Sequence, residues 1–262
     1  MAHELPIWVC EGLGVRRRNN VPIRRRNLGK LPLFMTNSPT AQLFLADQRG
    51  LTQTDEWRRY HTFNADGYVA EGREPFGPLF RFSDDTLSPG ARLPLAAERD
   101  MVLWILPVVG GIGYVADELE GYLATEQIGR FRLRAGAPYT LTNPFDDWAV
   151  RFLQIGLATT VPNQTNSLGA FNFKLNPNAL VLLVSDETGK QVLAGVYDGR
   201  RGGALDVAET GGDYFVFVLT GAFEVANRLM HAGDGLTLRY EAAAKLDFEA
   251  LSNEAVLLIL EL

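Results

Sequence analysis

This chain is short of the residues on which most soluble enzyme chemistry rests. Among its 262 residues there is one cysteine, Cys10, and there are three histidines, His3, His61 and His231. A single cysteine excludes an intrachain disulfide and a cysteine-built metal cluster. Cys10 is expected to be a small, partly buried residue rather than a nucleophile. Few imidazoles leave few places for the commonest metal ligand and general base at neutral pH. No apolar run approaches the ~18–20 residues that span a bilayer. The N-terminal stretch MAHELPIWVCEGLG carries Glu4 and Glu11 and lacks a charged-then-apolar layout. A secretory signal is therefore not expected, and the cytoplasm is the default compartment.

Positive charge is also scarce overall. The net charge of −6 argues against broad nucleic-acid affinity, which needs a basic surface. The exception is local: Arg16-Arg17-Arg18 and Arg24-Arg25-Arg26 place six arginines within eleven positions. This arm is expected to be solvated or paired with partner groups, and binding to an anionic protein or nucleic acid is its alternative reading. Phosphate loops, G-x-S-x-G elbows and histidine-rich zinc motifs are absent from the sequence. Gly110-Gly111-Ile112-Gly113 follows an apolar strand pattern and precedes no helical one, so it reads as a β-turn.

What is present is core material. Hydrophobic residues make up 47% of the chain, with 15 Phe among them, which is ample for a sizeable core. Apolar runs are short, β-branched or aromatic, and bounded by Gly, Pro, Asn and Asp, which is the all-β pattern. Ala179–Asp198 reads as a hairpin turning at Glu187-Thr188-Gly189-Lys190. Asp213–Asn227 reads as strand, Thr-Gly turn and strand, with Phe215, Phe217 and Leu219 on one face. Gly235–Tyr240 and Ala255–Leu262 supply further strands. Ser38–Asp47 or Asp55–Tyr60 has room for a helical turn or two. Thr159–Asn178, rich in Asn, Thr and Pro, reads as a linker or crossover. The strands fall into two successive sets, roughly 76–157 and 179–262, which points to two small barrels or sandwiches in tandem.

Among polar residues, His61 in Tyr60-His61-Thr62-Phe63 is expected to be a hydrogen-bonded structural side chain, and His231 a turn residue. Asp84-Asp85 and Asp146-Asp147 are adjacent acids. On a strand such neighbours point to opposite faces and form no catalytic pair, so capping or turn roles are expected.

Taken together, Tyr60-His61-Thr62-Phe63, Phe76-Gly77-Pro78-Leu79, Asp84-Asp85, Pro89-Gly90 and Arg99-Asp100-Met101 stand in the order and spacing of the pirin family. The family pattern looks like W-H-T-F, F-G-P-L-R-V, D-D, P-G and H-P-H-R-D-M-E, and Phe76 to Met101 matches it without a gap. The resemblance covers roughly residues 40–262, including the strands around Thr220-Gly221 and Asp234-Gly235-Leu236, but not the N-terminal arm. It implies an all-β bicupin, two tandem jelly-roll barrels. The expected division is an arm over 1–38, an N-terminal cupin over 39–160 and a C-terminal cupin over 161–262. Pirin-like chains commonly work as monomers, because their two barrels pack on each other, and the same is expected here.

The resemblance also implies iron or a similar divalent metal held by three histidines and a glutamate in the N-terminal barrel. Some pirin-type proteins cleave flavonols such as quercetin with dioxygen, and others regulate or bind other proteins. Carried over, the histidines of H-P-H fall on Ala96 and Glu98. The H-S-E-Y-N-P motif, anchored on Asn143-Pro144, puts the other two ligands on Tyr139 and Leu141. Alanine and leucine cannot ligate, and one carboxylate cannot hold a transition metal against water. The expectation is therefore a pirin-like bicupin without metal or other cofactor, binding a small molecule in its N-terminal barrel or a protein partner. Leu141, Ala96, Leu103 and Phe152 are expected to line that barrel, with Tyr139 offering its hydroxyl to a neighbour. Two enzymatic alternatives stand beside this: a metal-dependent quercetinase-type dioxygenase, and a metal-free cupin isomerase or hydrolase using Glu98 and Tyr139 as an acid–base pair.

Overall fold

The computed structural model describes residues 38–159 and 167–262, so His3, Cys10 and the arginine arm lie outside the described residues. Twenty-one strands and one three-residue 3-10 helix, Ala46–Gln48, account for its regular structure. In chain order the first strands are β1 (Thr40–Phe44), β2 (Gly50–Gln53), β3 (Trp57–His61), β4 (Leu79–Leu87), β5 (Arg92–Ala96), β6 (Met101–Val109) and β7 (Ile112–Ala116). Next come β8 (Leu119–Leu123), β9 (Gln127–Leu133), β10 (Pro138–Thr142), β11 (Val150–Ala158), β12 (Ser167–Asn172), β13 (Ala179–Ser185) and β14 (Gln191–Tyr197). The last are β15 (Gly202–Val207), β16 (Gly212–Thr220), β17 (Ala222–Val225), β18 (Arg228–His231), β19 (Gly235–Tyr240), β20 (Ala244–Ala250) and β21 (Ala255–Glu261). No helix among the described residues is long and apolar enough to cross a membrane.

The strands form four sheets, and the order across them explains the sequence patterns. A four-stranded sheet, β5-β10-β7-β8, faces a seven-stranded sheet, β12-β9-β6-β11-β4-β3-β2, across one apolar core. The seven-stranded sheet turns its other face to a six-stranded sheet, β1-β19-β16-β21-β14-β13, across a second core. The six-stranded sheet closes a third core against β15-β20-β17-β18. The two middle sheets are thus buried on both faces, and their strands read as unbroken apolar runs rather than alternating ones. In β6, Met101, Leu103 and Ile105 enter the first core while Val102, Trp104 and Leu106 enter the second. In β16, Phe215 and Phe217 enter the second core and Tyr214, Val216 and Val218 the third. The architecture is all-β, two jelly-roll barrels in tandem packed sheet against sheet.

Several local expectations need correction. Asp55–Tyr60 holds no helical turn; Trp57 to Tyr60 are in β3, paired to β4. Half of Ser38–Asp47 is β1, and the helical turn expected there is the short one at Ala46–Gln48. Thr159–Asn178 contains β12, which pairs along its length with β9. Two edge strands cross the division at 160/161, because β1 pairs with β19 and β12 with β9. Asp84 and Asp85 lie mid-strand in β4, not in a turn, although they do point to opposite faces. His231 ends β18, and its exposed ring lies next to the turn that Asp234 stabilises by accepting from the His231 N–H at 2.8 Å.

The second core is anchored by aromatics from both halves: Phe82 packs on Phe215 and Phe217 with ring centroids 4.8 and 4.7 Å apart, and Phe63 on Phe215 at 5.4 Å. Phe215 is fully buried there. Phe215→Ala is expected to cost about 3–5 kcal/mol, read as a lowered urea midpoint. Leu229→Ala, at a 56% exposed position, should stay within about 0.5 kcal/mol of the parent.

Candidate functional site

Strand periodicity builds a polar layer on one wall of the N-terminal barrel. Arg81, Ser83 and Asp85 are two residues apart in β4 and so share a face. Register places Arg59 of β3 and Phe152 of β11 beside Asp85, and His61 and Gln154 beside Ser83. Arg81 lies opposite Gly156, where any side chain would begin 3.0 Å from the Arg81 Cβ, so glycine there leaves room for the arginine stem. All these side chains are buried: Arg59 is 2% exposed, Arg81 1% and Gln154 0%.

Four of them, Arg59, Arg81, Asp85 and Gln154, close into a ring of hydrogen bonds with Tyr139 of β10 and Asp66 of the β3–β4 connection. Arg81 donates from Nη1 to the Tyr139 hydroxyl at 2.7 Å, and that hydroxyl donates to Gln154 Oε1 at 3.1 Å. Gln154 Nε2 donates to Asp85 Oδ2 at 2.5 Å. Asp85 accepts from Arg59 Nε at 2.7 Å and Nη2 at 3.0 Å, a bidentate pair. Arg59 Nη1 donates to Asp66 Oδ2 at 2.6 Å, and Asp66 Oδ1 accepts from Arg81 Nη2, which closes the ring. Glu98 hangs from its rim, accepting from Arg81 Nη2 at 3.3 Å and from the Asp66 N–H at 2.6 Å.

The electrostatics follow from burial and charge. Burial works against the charge of Arg59, but the Asp85 and Asp66 carboxylates outweigh it and hold its pKa above the ordinary value. Arg81 is shifted the same way: burial opposes its charge, and the Asp66 and Glu98 carboxylates favour it. Burial raises the pKa of Tyr139, so its hydroxyl keeps its proton to donate. His61 is 1% exposed, shares a 2.9 Å hydrogen bond with Thr52 Oγ1 and stacks on Tyr68 at 5.1 Å. The Tyr68 ring lies where a side chain at position 50 would stand, which explains Gly50. Burial, and then the nearby Arg59 charge, lower the His61 pKa to about 4.

Of the four positions singled out in the sequence, two meet at one group. Tyr139 and Glu98 converge on the Arg81 guanidinium. Leu141 is fully buried in the apolar part of the barrel, as are Leu103 and Phe152. Ala96 is a correction: it is exposed, because in β5 the inward positions are Leu93 and Leu95, paired to Leu141 and Tyr139, and the strand alternation turns Ala96 outward. Sequence reasoning missed Arg59, Arg81, Asp66 and Gln154. The available signal was the polar set Arg81, Ser83 and Asp85 at period two, with Arg81 between the buried Phe80 and Phe82. Two surface clefts, about 170 Å³ beside Trp57 and Arg58 and about 70 Å³ beside Leu157 and Lys190, are lined without any member of the ring.

The sheet arrangement is that of two cupin-type jelly-roll barrels in tandem. The family model for the quercetinase C-terminal cupin domain matches residues 193–262. The fold is similar to that of the bacterial pirin YhhW from Escherichia coli, solved in complex with nickel(II), with a TM-score of 0.75 at 15% identity over 85% of this chain and 99% of that one. It is also similar to quercetin 2,3-dioxygenase from Acinetobacter baumannii, with a TM-score of 0.66 at 12% identity over 84% of this chain and 85% of that one. The protein YhaK from Escherichia coli is similar as well, with a TM-score of 0.63 at 18% identity over 77% of this chain and 92% of that one. Comparison with curated protein sequences returns no match. The fold is a bicupin fold, similar to that of the solved pirin and quercetin 2,3-dioxygenase.

Because the folded-state pKa of His61 lies below its ordinary value near 6.5, the unfolded chain takes up this proton first. The stability tied to neutral His61 is complete above about pH 6.5 and is lost as pH falls towards 4, up to about 3 kcal/mol. Urea midpoints measured across that window should fall less steeply for His61→Gln than for the parent. Parallel profiles would contradict the assignment.

Proposed function

We propose that this pirin-like bicupin works without a metal centre, as a binding protein rather than a dioxygenase. The observation that carries the reading is the Arg81 guanidinium held by Tyr139 at 2.7 Å and Glu98 at 3.3 Å. Those are the two oxygen donors among the four positions that correspond to metal ligands. Leu141 brings no donor atom, and Ala96 faces away from the barrel. A divalent ion needs about three or more protein ligands, and these four positions supply it with oxygens from only two side chains. It also has to displace a cation, and a displaced Arg81 leaves a buried charge without counterions, a loss of several kcal/mol. The residues present therefore do not fit such an ion. Among the described residues, no group of three or more His, Cys, Asp or Glu side chains comes together in a way that can hold a metal.

The isomerase alternative is weaker for a related reason. Tyr139 has its hydroxyl committed on both sides, accepting from Arg81 and donating its one proton to Gln154, and so has none to offer a substrate. The test is metal content. Protein purified without chelators and incubated with iron(II) or nickel(II) should retain far less than one equivalent after desalting, and Glu98→Ala should not change that. It should consume no dioxygen with quercetin. One tightly held equivalent that Glu98→Ala removes would overturn the reading.

A further inference from the structure

Resting on the metal-free reading, we propose that Arg59 and Arg81 form a carboxylate-binding site in the N-terminal barrel, and that the side chain of Asp66 is its internal occupant. The site is selective for small organic carboxylates that enter when the segment joining β3 to β4 moves aside.

The two arginines are not equivalent. Arg59 has a permanent counterion, Asp85, on the neighbouring strand, fully buried and bidentate. Arg81, just as deeply buried, has no carboxylate on any strand beside it. Its partner on a strand is the neutral Tyr139, and its Nε is buried with no hydrogen-bond partner. Its negative partners come from two connecting segments at the barrel rim: Asp66, 17% exposed, and Glu98, 32% exposed. The framework thus holds a buried cation whose neutralisation is left to groups that lie outside the framework.

Asp66 sits in this place as a ligand would. One oxygen of its carboxylate takes Arg59 Nη1 and the other Arg81 Nη2, so a single carboxylate is clamped by two guanidinium groups anchored on adjacent strands. That is the geometry by which arginines recognise free carboxylates. Asp66 reaches it from a left-handed backbone conformation, φ 54°, followed by Gly67 at φ 81°. Its backbone N–H is tied to Glu98, a second rim group, rather than to a strand. The same segment carries Tyr68, whose ring covers His61. When the segment moves, the clamp loses its carboxylate and the His61 ring loses its flat cover. A planar acid replaces both, which makes benzoate a suitable probe.

Benzoate binding to the full-length chain, measured by calorimetry and by the shift in thermal midpoint, tests this. Asp66→Ala is expected to bind benzoate at least about tenfold more tightly than the parent, because the competing carboxylate is gone. Asp66→Asn, which keeps the shape without the charge, should move the same way. Benzamide, the neutral isostere, should not bind, and Arg81→Met added to Asp66→Ala should abolish the gain. Folded Asp66 variants with no gain, equal binding of benzamide, or binding that survives Arg81→Met would each overturn the proposal. So would loss of the fold in both Asp66 variants, since a displaceable occupant cannot be essential to folding. Metal content measured on the same samples separates the two ideas: bound metal defeats the metal-free reading, whereas metal-free protein that ignores benzoate defeats only the carboxylate site.

Discussion

The interaction on which the N-terminal barrel depends is the buried chain Arg59–Asp85–Gln154–Tyr139–Arg81 carried by its strands, which Asp66 closes into a ring from a connecting segment. Two guanidinium groups buried to about 2% exposure are tolerable only because donors and acceptors alternate around the circuit. Breaking a buried pair by removing one partner typically costs about 3–5 kcal/mol, since the other charge stays behind without its counterion. The ring also fixes geometry that apolar packing alone does not: it joins β3, β4, β10 and β11, and ties the β3–β4 connection to the β5–β6 connection through Asp66 and Glu98. The barrel is held shut by polar groups where its other half is held by leucines and phenylalanines.

This arrangement depends in turn on the fold around it. The seven-stranded sheet is buried on both faces, so a polar layer on one face is walled off from water by the aromatic core on the other. Asp84 and Asp85 illustrate the division. Asp85 serves the ring, while Asp84 turns to the opposite face and pairs with Arg49 and Arg151, at 3.2 and 2.8 Å. Adjacent acids therefore do two separate neutralising tasks, each set by the side of the strand from which it projects.

Much of the fold was legible in the sequence, because strands buried on both faces are dense apolar runs cut by Gly, Asn and Asp turns. The hairpin of β13 and β14 and the inward faces of β16 follow directly from such patterns. The edge strands β1 and β12 did not, since partly exposed edges carry no clear alternation; burial in β12 runs intermediate and exposed throughout. At the site, motif resemblance singled out Glu98 and Tyr139, which lie on Arg81, and Leu141, which lies in the apolar core, but it placed Ala96 inward when strand alternation turns it out. Arg59 and Asp66 were illegible for a different reason. No local motif announces an ion pair between residues brought together by sheet register and a connecting loop, and arginine in a β-rich chain is ordinarily a surface residue.

The central claim is that a guanidinium group occupies the place in this barrel that corresponds to a metal site. It is tested most directly by anomalous diffraction from crystals of the full chain grown with nickel(II). The account predicts no nickel peak between Tyr139 and Glu98, and Arg81 within hydrogen-bond distance of both. A nickel ion about 2.0–2.2 Å from either oxygen, with Arg81 swung away, would contradict it.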